Sequence, residues 1–368
     1  MENQSRAELP TRLRERIKSH GAISFHDWMQ AALYDEHDGY YRRRDIKRWG
    51  REGDYRTSPE RSPLFASTFA RFFHKLYEEL GSPASWTIHE AGAGAGHFAQ
   101  GVLETFNSSY PHLLAATRYV VDEMNTDARS FIQEKLARFA RHVEYANLSD
   151  NRVTLEHGIV FANELLDAFP VHRVAVEGGQ LRELFIATDE AGNFIWTSEE
   201  PSTPLIAEYL RRLNVELAEG QMAEINLQAI DWLKRAVTMF NRGYLILVDY
   251  GAEAEELYDV SLRPRGSLRA FGRHQLIDDA LREPGEYDIT TTIDWTTVKR
   301  VCREAGLEIV SFERQDRFLL RAGLLEELAH TMTGEVTDAA SLKIRATARE
   351  MILPGGMSES FQVLVAKR

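Results

Sequence analysis

Residues 86 to 100 read WTIHEAGAGAGHFAQ, an apolar strand-like run that reaches Glu90 and then places Gly92, Gly94 and Gly96 within five positions. Glycine at that density marks a backbone that turns through left-handed conformations or admits a ligand closely, because a Cβ obstructs both. The apolar-periodic run GHFAQGVLETF follows at once, so the glycines join a strand to a helix. In open α/β sheets this junction is where nucleotide-like ligands sit. A dinucleotide fingerprint, G-x-G-x-x-G, needs its third glycine at position 97, which is His97. The spacing present is E-x-G-x-G-x-G.

From Trp86 onward, short apolar runs alternate with helical patterns: WTIHE, RYVVDE, HVEYANL, GIVFANE, GYLILVDYG, LEIVSFE and FQVLVAKR. Such alternation predicts a mostly parallel sheet with helices on both faces. The first 85 residues read as helical. Pro10 opens one helix, Ser24 and Asp27 have capping-box-like spacing, and Pro63 to Leu80 carries Phe65, Phe69, Phe72, Phe73 and Leu76 on one face. That aromatic stripe reads as core or as the interface of a homodimer. Two stretches interrupt the alternation: about 171–241, expected as an antiparallel meander turning at Gly178-Gly179 and then two helices over 204–241, and about 252–288, rich in Arg, Gly and Pro. The expected division is an N-terminal helical region with a cofactor-covering loop, 1–85, and a Rossmann-like domain, 86–368, carrying both insertions.

The E-x-G-x-G-x-G spacing resembles the first-strand loop of Rossmann-like S-adenosyl-L-methionine (SAM)-dependent methyltransferases. SAM brings no pyrophosphate to a helix N-terminus; its amino-acid tail, ribose and sulfonium suit a close glycine backbone with carboxylates nearby. Candidate contacts are Glu90, Gly92, Gly94 and Gly96, then Asp122 at the end of the second strand for the ribose hydroxyls, with Glu123 the neighbouring alternative. Asn147 and Leu148 follow the third strand, where the adenine is flanked.

Beyond that loop, ISFHDWMQAALYDEHDGYY, GDYRTSPE, ANELLDAFPVHR, EINLQAIDWL, DYG, YDITTTIDW and LPGGMSESFQVLV occur in this order. They resemble the MidA family of SAM-dependent methyltransferases, which includes a mitochondrial arginine methyltransferase of respiratory complex I assembly. The resemblance runs from about Ile23 to the C-terminus. It implies an α/β fold with inserted α+β substrate or lid segments, SAM as cofactor, and a protein arginine as acceptor, a respiratory-complex subunit among the options. It further implies that Gly53, Asp54, Thr57, Ser58, Pro59 and Glu60 lie over the cofactor pocket. Asn163, Glu164, Asp167 and Pro170 are then placed at the active-site mouth, with Asn163 toward the cofactor. Arg56 and Arg61 make the first of these loops more cationic than expected, Thr292 stands where a His is expected, and Ser358 where a Gly is expected.

Methyl transfer from a sulfonium is an in-line displacement, so positioning does most of the catalysis. Carboxylates match a guanidinium fork and can take its proton, which makes Glu164, Asp167, Asp54 and Glu60 the catalytic candidates. Glu164 and Asp167 share one cleft if a helical turn begins between them. Asn163 and Glu164 as helix caps, and Asp167 as a first-turn acid, are the structural alternatives. A SAM-binding assembly factor with little activity, or a small-molecule methyltransferase, are the functional ones.

Composition narrows the partners. A net charge of −12 over 368 residues argues against nucleic-acid binding and suits a cationic acceptor. Cys302, the one cysteine, excludes an internal disulfide and lies on an apolar helical face, and no His spacing suggests a metal site. The Arg-rich first twenty residues include Glu2, Glu8 and Glu15, which a transit peptide avoids, and no apolar run suggests membrane insertion. The expected compartment is the cytoplasm.

Overall fold

A computed structural model describes residues 8–43, 62–146, 154–272, 275–331, 339–353 and 359–368. Along the chain, α1 (Leu9–His20), β1 (Ile23–Ser24) and α2 (Phe25–Tyr34) precede α3 (Pro63–Glu79). Then come β2 (Trp86–Ala91), α4 (His97–Ser109), α5 (Pro111–Ala116), β3 (Thr117–Asp122), α6 (Thr126–Lys135), β4 (Val143–Ala146) and β5 (Leu155–Asn163). The first insertion holds β6 (His172–Glu177), β7 (Gln180–Thr188), β8 (Phe194–Glu199), α7 (Leu205–Leu213), β9 (Met222–Ile225) and α8 (Leu227–Ala236). After β10 (Phe240–Ala252) and α9 (Ala254–Leu257), the second insertion leads through β11 (Arg269–Gly272) and β12 (Gln275–Ile277) into β13 (Asp288–Thr290). The chain ends with β14 (Ile293–Asp294), α10 (Trp295–Glu304), β15 (Glu308–Arg314), α11 (Gln315–Ala322), α12 (Leu324–Thr331), α13 (Ala339–Ile352) and β16 (Phe361–Lys367).

The central strands have apolar side chains on both faces, and such strands persist only with both faces covered. Their spatial order is β15-β16-β10-β5-β2-β3-β4, with β14 joined to the end of β10. The run from β10 to β4 is parallel, as the alternation predicts, while β16 lies antiparallel between β10 and β15. On one face Phe65, Phe69 and Phe73 of α3 meet Phe98 and Phe161, whose rings stack at 4.2 Å. The aromatic stripe is therefore core, each ring contributing about 1.5–3 kcal/mol through burial. Gly101 lets α3 and α4 touch closely, since a Cβ there would lie 2.5 Å from the Ala66 Cβ. The other face is covered by α8 and α10 through Trp232, Leu233, Val298 and Cys302. Cys302 is a buried core residue whose thiol is pushed up to about 12 by burial.

A second, antiparallel sheet has the order β1-β7-β6-β9, with β8 on β7. Here β9 departs from the expectation of helices alone over 204–241. Gly220 turns the chain before it, and Asn226 caps α8 behind it by accepting from the Ala229 N–H. The four residues between extend and pair with β6, too few to show a period in sequence. The N-terminal region also divides. Trp28 and Leu13 share a core with Ile186, Ala270 and Ile289 of the two insertions, whereas α3 belongs to the central sheet. Ser24 caps α2 by accepting from the Asp27 N–H, the spacing seen in sequence. Among the described residues no helix is long and apolar enough to cross a membrane.

From β2 the chain runs outward to β3 and β4, then returns to β5 and β10 on the other side. The order reverses between β2 and β5, so a crevice opens outside their carboxyl ends, where open α/β sheets bind ligands.

Candidate active site

The glycine loop forms one wall of that crevice. Gly92, Gly94 and Gly96 all have left-handed backbone, with φ of +71°, +56° and +71°. A Cβ on Gly92 would come within 2.9 Å of Leu165 Cδ1, and one on Gly96 within 3.0 Å of Ile132. Both the conformation and the space therefore require glycine. The loop is bolted to the end of β3, since the Gly92 and Ala93 N–H groups donate to the Asp122 carbonyl at 2.8 and 3.3 Å.

Side-chain carboxylates sort into distinct roles here. Glu123 accepts from the Gly94 N–H at 2.9 Å and the Asn125 N–H at 2.8 Å, so it is the acid that faces the glycine loop. Asp122 is buried and turned to His89, whose Nε2 is 3.4 Å from its Oδ2. Strand alternation sends neighbouring side chains opposite ways, which is why sequence alone left these two open. Glu90 is buried beneath the loop and accepts from the Tyr119 hydroxyl at 2.6 Å. Burial pushes its carboxyl up to about 8, with a smaller contribution from the Glu123 charge, against the opposing pull of the Tyr119 hydrogen bond.

The opposite wall is the turn after β5. Glu164 has φ +52°, a left-handed backbone that costs a non-glycine residue roughly 1–3 kcal/mol. Its N–H donates to the Val248 carbonyl at 2.9 Å, and its Oε1 accepts from Asn163 Nδ2 at 3.0 Å. A single 3-10 turn, Leu166–Ala168, follows in place of a helix. Asp249, at the end of β10, holds this turn: its Oδ2 accepts from the N–H groups of Leu166 at 3.0 Å and Asp167 at 3.4 Å.

Asp167 is only 5% exposed, and its Oδ1 has no hydrogen-bond partner among the described residues; Asn163 Oδ1 is likewise buried and unpartnered. Two orphaned acceptors at one strand end call for a donor or a cation. Burial raises the Asp167 carboxyl above the usual range, opposed by the Tyr250 hydroxyl and the Arg269 charge. Asp249 is raised further, by burial and then by the Asp167 and Glu164 charges. Two buried carboxyls this close hold one negative charge far more readily than two.

The roof comes from the N-terminal region and the second insertion. Tyr34 donates to the Ala168 carbonyl at 3.0 Å, and Tyr41, stacked on Tyr34 at 5.4 Å, donates to Asp288 Oδ1 at 2.5 Å. Arg269 lies over the Tyr250 ring and donates to Thr292 Oγ1 at 3.4 Å, so Thr292 is a buried acceptor for that arginine. Tyr34, Asp288 and Arg269 were not singled out in sequence. Asp288 does lie inside the quoted YDITTTIDW, and that motif's place after the second insertion is the signal that finds it. Asp54, Thr57, Ser58, Pro59, Glu60, Asn147, Leu148 and Ser358 lie outside the described residues.

The glycine cradle and the acids around it fit a cationic nucleotide-like cofactor, and the orphaned acceptors across the crevice call for a further donor or cation. Residues 68–313 match the profile of a family described as S-adenosyl-L-methionine-dependent methyltransferases. The Drosophila melanogaster protein arginine methyltransferase NDUFAF7 homolog, a mitochondrial protein, is 26% identical over 351 residues, covering 88% of this chain and 78% of that one. Its Mus musculus counterpart is 24% identical over 336 residues, covering 84% and 72%. A Burkholderia thailandensis protein solved with S-adenosyl-homocysteine bound superposes with a TM-score of 0.85 at 28% identity, covering 98% of this chain and 92% of that one.

Proposed function

The chain belongs to the MidA-type family of S-adenosyl-L-methionine-dependent methyltransferases, and from that premise we propose that its acceptor is an arginine side chain of a protein partner. SAM supplies a methyl group on a sulfonium, an electrophile that needs only a nucleophile aligned behind it. Gly92, Gly94, Gly96 and Glu123 would hold it on one wall of the crevice, with Glu90 beneath the loop.

The observation that carries the arginine reading is the buried, unpartnered Asp167 Oδ1 beside Glu164 and Asp249. A guanidinium presents several coplanar donors and keeps its charge at all physiological pH values. Docked there, it would satisfy the orphaned acceptor and let the acids ionise together. Glu164 is the residue we assign to hold the attacking nitrogen and receive its proton. The reading extends to a respiratory-complex subunit as the partner, following the family resemblance, and to the cytoplasm as the compartment.

The test is to incubate the purified protein with methyl-labelled SAM and a lysate of its own host, then locate the label by mass spectrometry. Label on arginine of a protein is expected. Label confined to a small metabolite, or to lysine, would overturn the assignment.

A further inference from the structure

The motif YDITTTIDW brings a carboxylate to the crevice from the second insertion, a segment that shares no strand with the catalytic turn. Strand β13 packs against the 3-10 turn that carries Asp167, and the Thr291 N–H donates to the Asp167 carbonyl at 3.0 Å. Asp288, the first residue of β13, is 7% exposed. Its Oδ1 is fixed by the Tyr41 hydroxyl, while Tyr34, stacked on Tyr41, is bonded to Ala168 next to Asp167. Burial first, and then the Asp167 and Asp288 charges, push the proton affinity of the Tyr34 hydroxyl up. Two carboxylates from separate elements thus flank one pair of tyrosines, and one of them carries the orphaned Oδ1.

We propose that Asp288 is an acceptor-binding residue, which grips the substrate guanidinium together with Asp167 and selects a charged acceptor over a neutral one of the same shape. The inference rests on the arginine reading and deepens it. A fork of coplanar donors held by carboxylates on two sides is fixed in plane, which leaves one nitrogen free to face the methyl donor. Asp288 is suited to this because Tyr41 fixes its orientation before the acceptor arrives. Tyr41 is then a positioning residue, acting through Asp288.

The test uses the full chain saturated with S-adenosyl-homocysteine and two probes, acetyl-Gly-Arg-Gly-amide and its neutral isostere with citrulline in place of arginine. Binding of each is measured by calorimetry. Wild-type protein is expected to prefer the arginine probe, and Asp288→Asn to weaken arginine binding by about tenfold, the value of one charge-assisted pair. Citrulline binding and S-adenosyl-homocysteine affinity are expected to stay unchanged, so the selectivity ratio falls. A merely structural Asp288 would lower both probes together. If Asp288→Asn does not fold, Tyr41→Phe, which keeps the charge and loosens it, is expected to lower the same ratio by a smaller factor of about threefold.

An unchanged ratio in the folded variant overturns the role of Asp288 while leaving the arginine reading in place. A wild-type protein that binds neither probe, or citrulline as well as arginine, overturns both.

Discussion

Two loops at the same end of the sheet leave the ordinary backbone regions, and they do so with different residues. The loop after β2 uses Gly92, Gly94 and Gly96, for which left-handed φ carries no steric cost. The turn after β5 uses Glu164 at φ +52°, where the cost is real. Where the backbone alone matters, as in a cradle, glycine suffices. A glutamate held in the same conformation fits our proposal that its carboxylate serves the acceptor at that point. The hydrogen bonding differs in the same sense. The glycine wall is tied off by the Asp122 carbonyl and Glu123, while the acid wall keeps Asn163 Oδ1 and Asp167 Oδ1 unpartnered.

The sharpest way to break this comparison is Glu164→Gly. The substitution removes strain, so stability should hold or rise by up to about 1 kcal/mol. Methyl transfer should nonetheless fall by about 10³-fold, within the usual contribution of a positioned acid or base. A variant that is more stable and equally active would show that the strain has no functional purpose. The converse change, Gly96→Val, puts a β-branched residue at φ +71° and 3.0 Å from Ile132. Calorimetry should show S-adenosyl-homocysteine binding about a hundredfold weaker, as the loop is pushed from its cradle.

Asp249→Ala comes next, since it strips the acceptor from the Leu166 and Asp167 N–H groups without touching either wall's surface. A stability loss of about 1–3 kcal/mol is expected from denaturant unfolding. Transfer should drop by roughly tenfold to a hundredfold because the turn is no longer held in register.

The smallest effect concerns pH. Glu90 has a folded-state value of about 8 against an ordinary 4.5, so the folded chain binds the extra proton between those values. Its contribution to stability is fully present below 4.5 and is lost as pH rises through about 8. Glu90→Gln removes that loss while keeping an acceptor for Tyr119. From pH 5 to 8 the wild-type Tm should therefore fall by several degrees more than that of the variant, since the unfolded chain loses this proton across that range while the folded chain keeps it. Parallel curves for the two proteins would refute the buried, protonated Glu90.

The same comparison explains what was legible in the residues themselves. A glycine triplet is visible because local backbone demands it, and so are the Ser24 cap and the Phe65–Phe73 stripe, each set by local spacing. The parallel run of the sheet follows from alternation in the same way. The acid wall, the Asp249 side chain that holds it and the roof above it come from four separate segments, around Glu164, Asp249, Tyr34 and Asp288, and no local pattern records that they meet. Resemblance to a family nominated Glu164 and Asp167, but that Asp249 and Asp288 meet the same short turn needed the packing of β10 and β13 on it. Which of Asp122 and Glu123 turns toward the glycine loop needed the orientation of a strand end. β9 stayed hidden because four residues between a glycine turn and a helix cap carry no period.

The central claim is a division of labour, cofactor on the glycine wall and acceptor on the acid wall. The most direct measurement of it pairs calorimetry of S-adenosyl-homocysteine binding with labelled methyl transfer for the double variant Glu164→Gln, Asp167→Asn. The account predicts cofactor affinity within about threefold of wild type and transfer reduced by about 10³-fold or more. Transfer that persists, or cofactor binding that collapses together with it, would contradict the division.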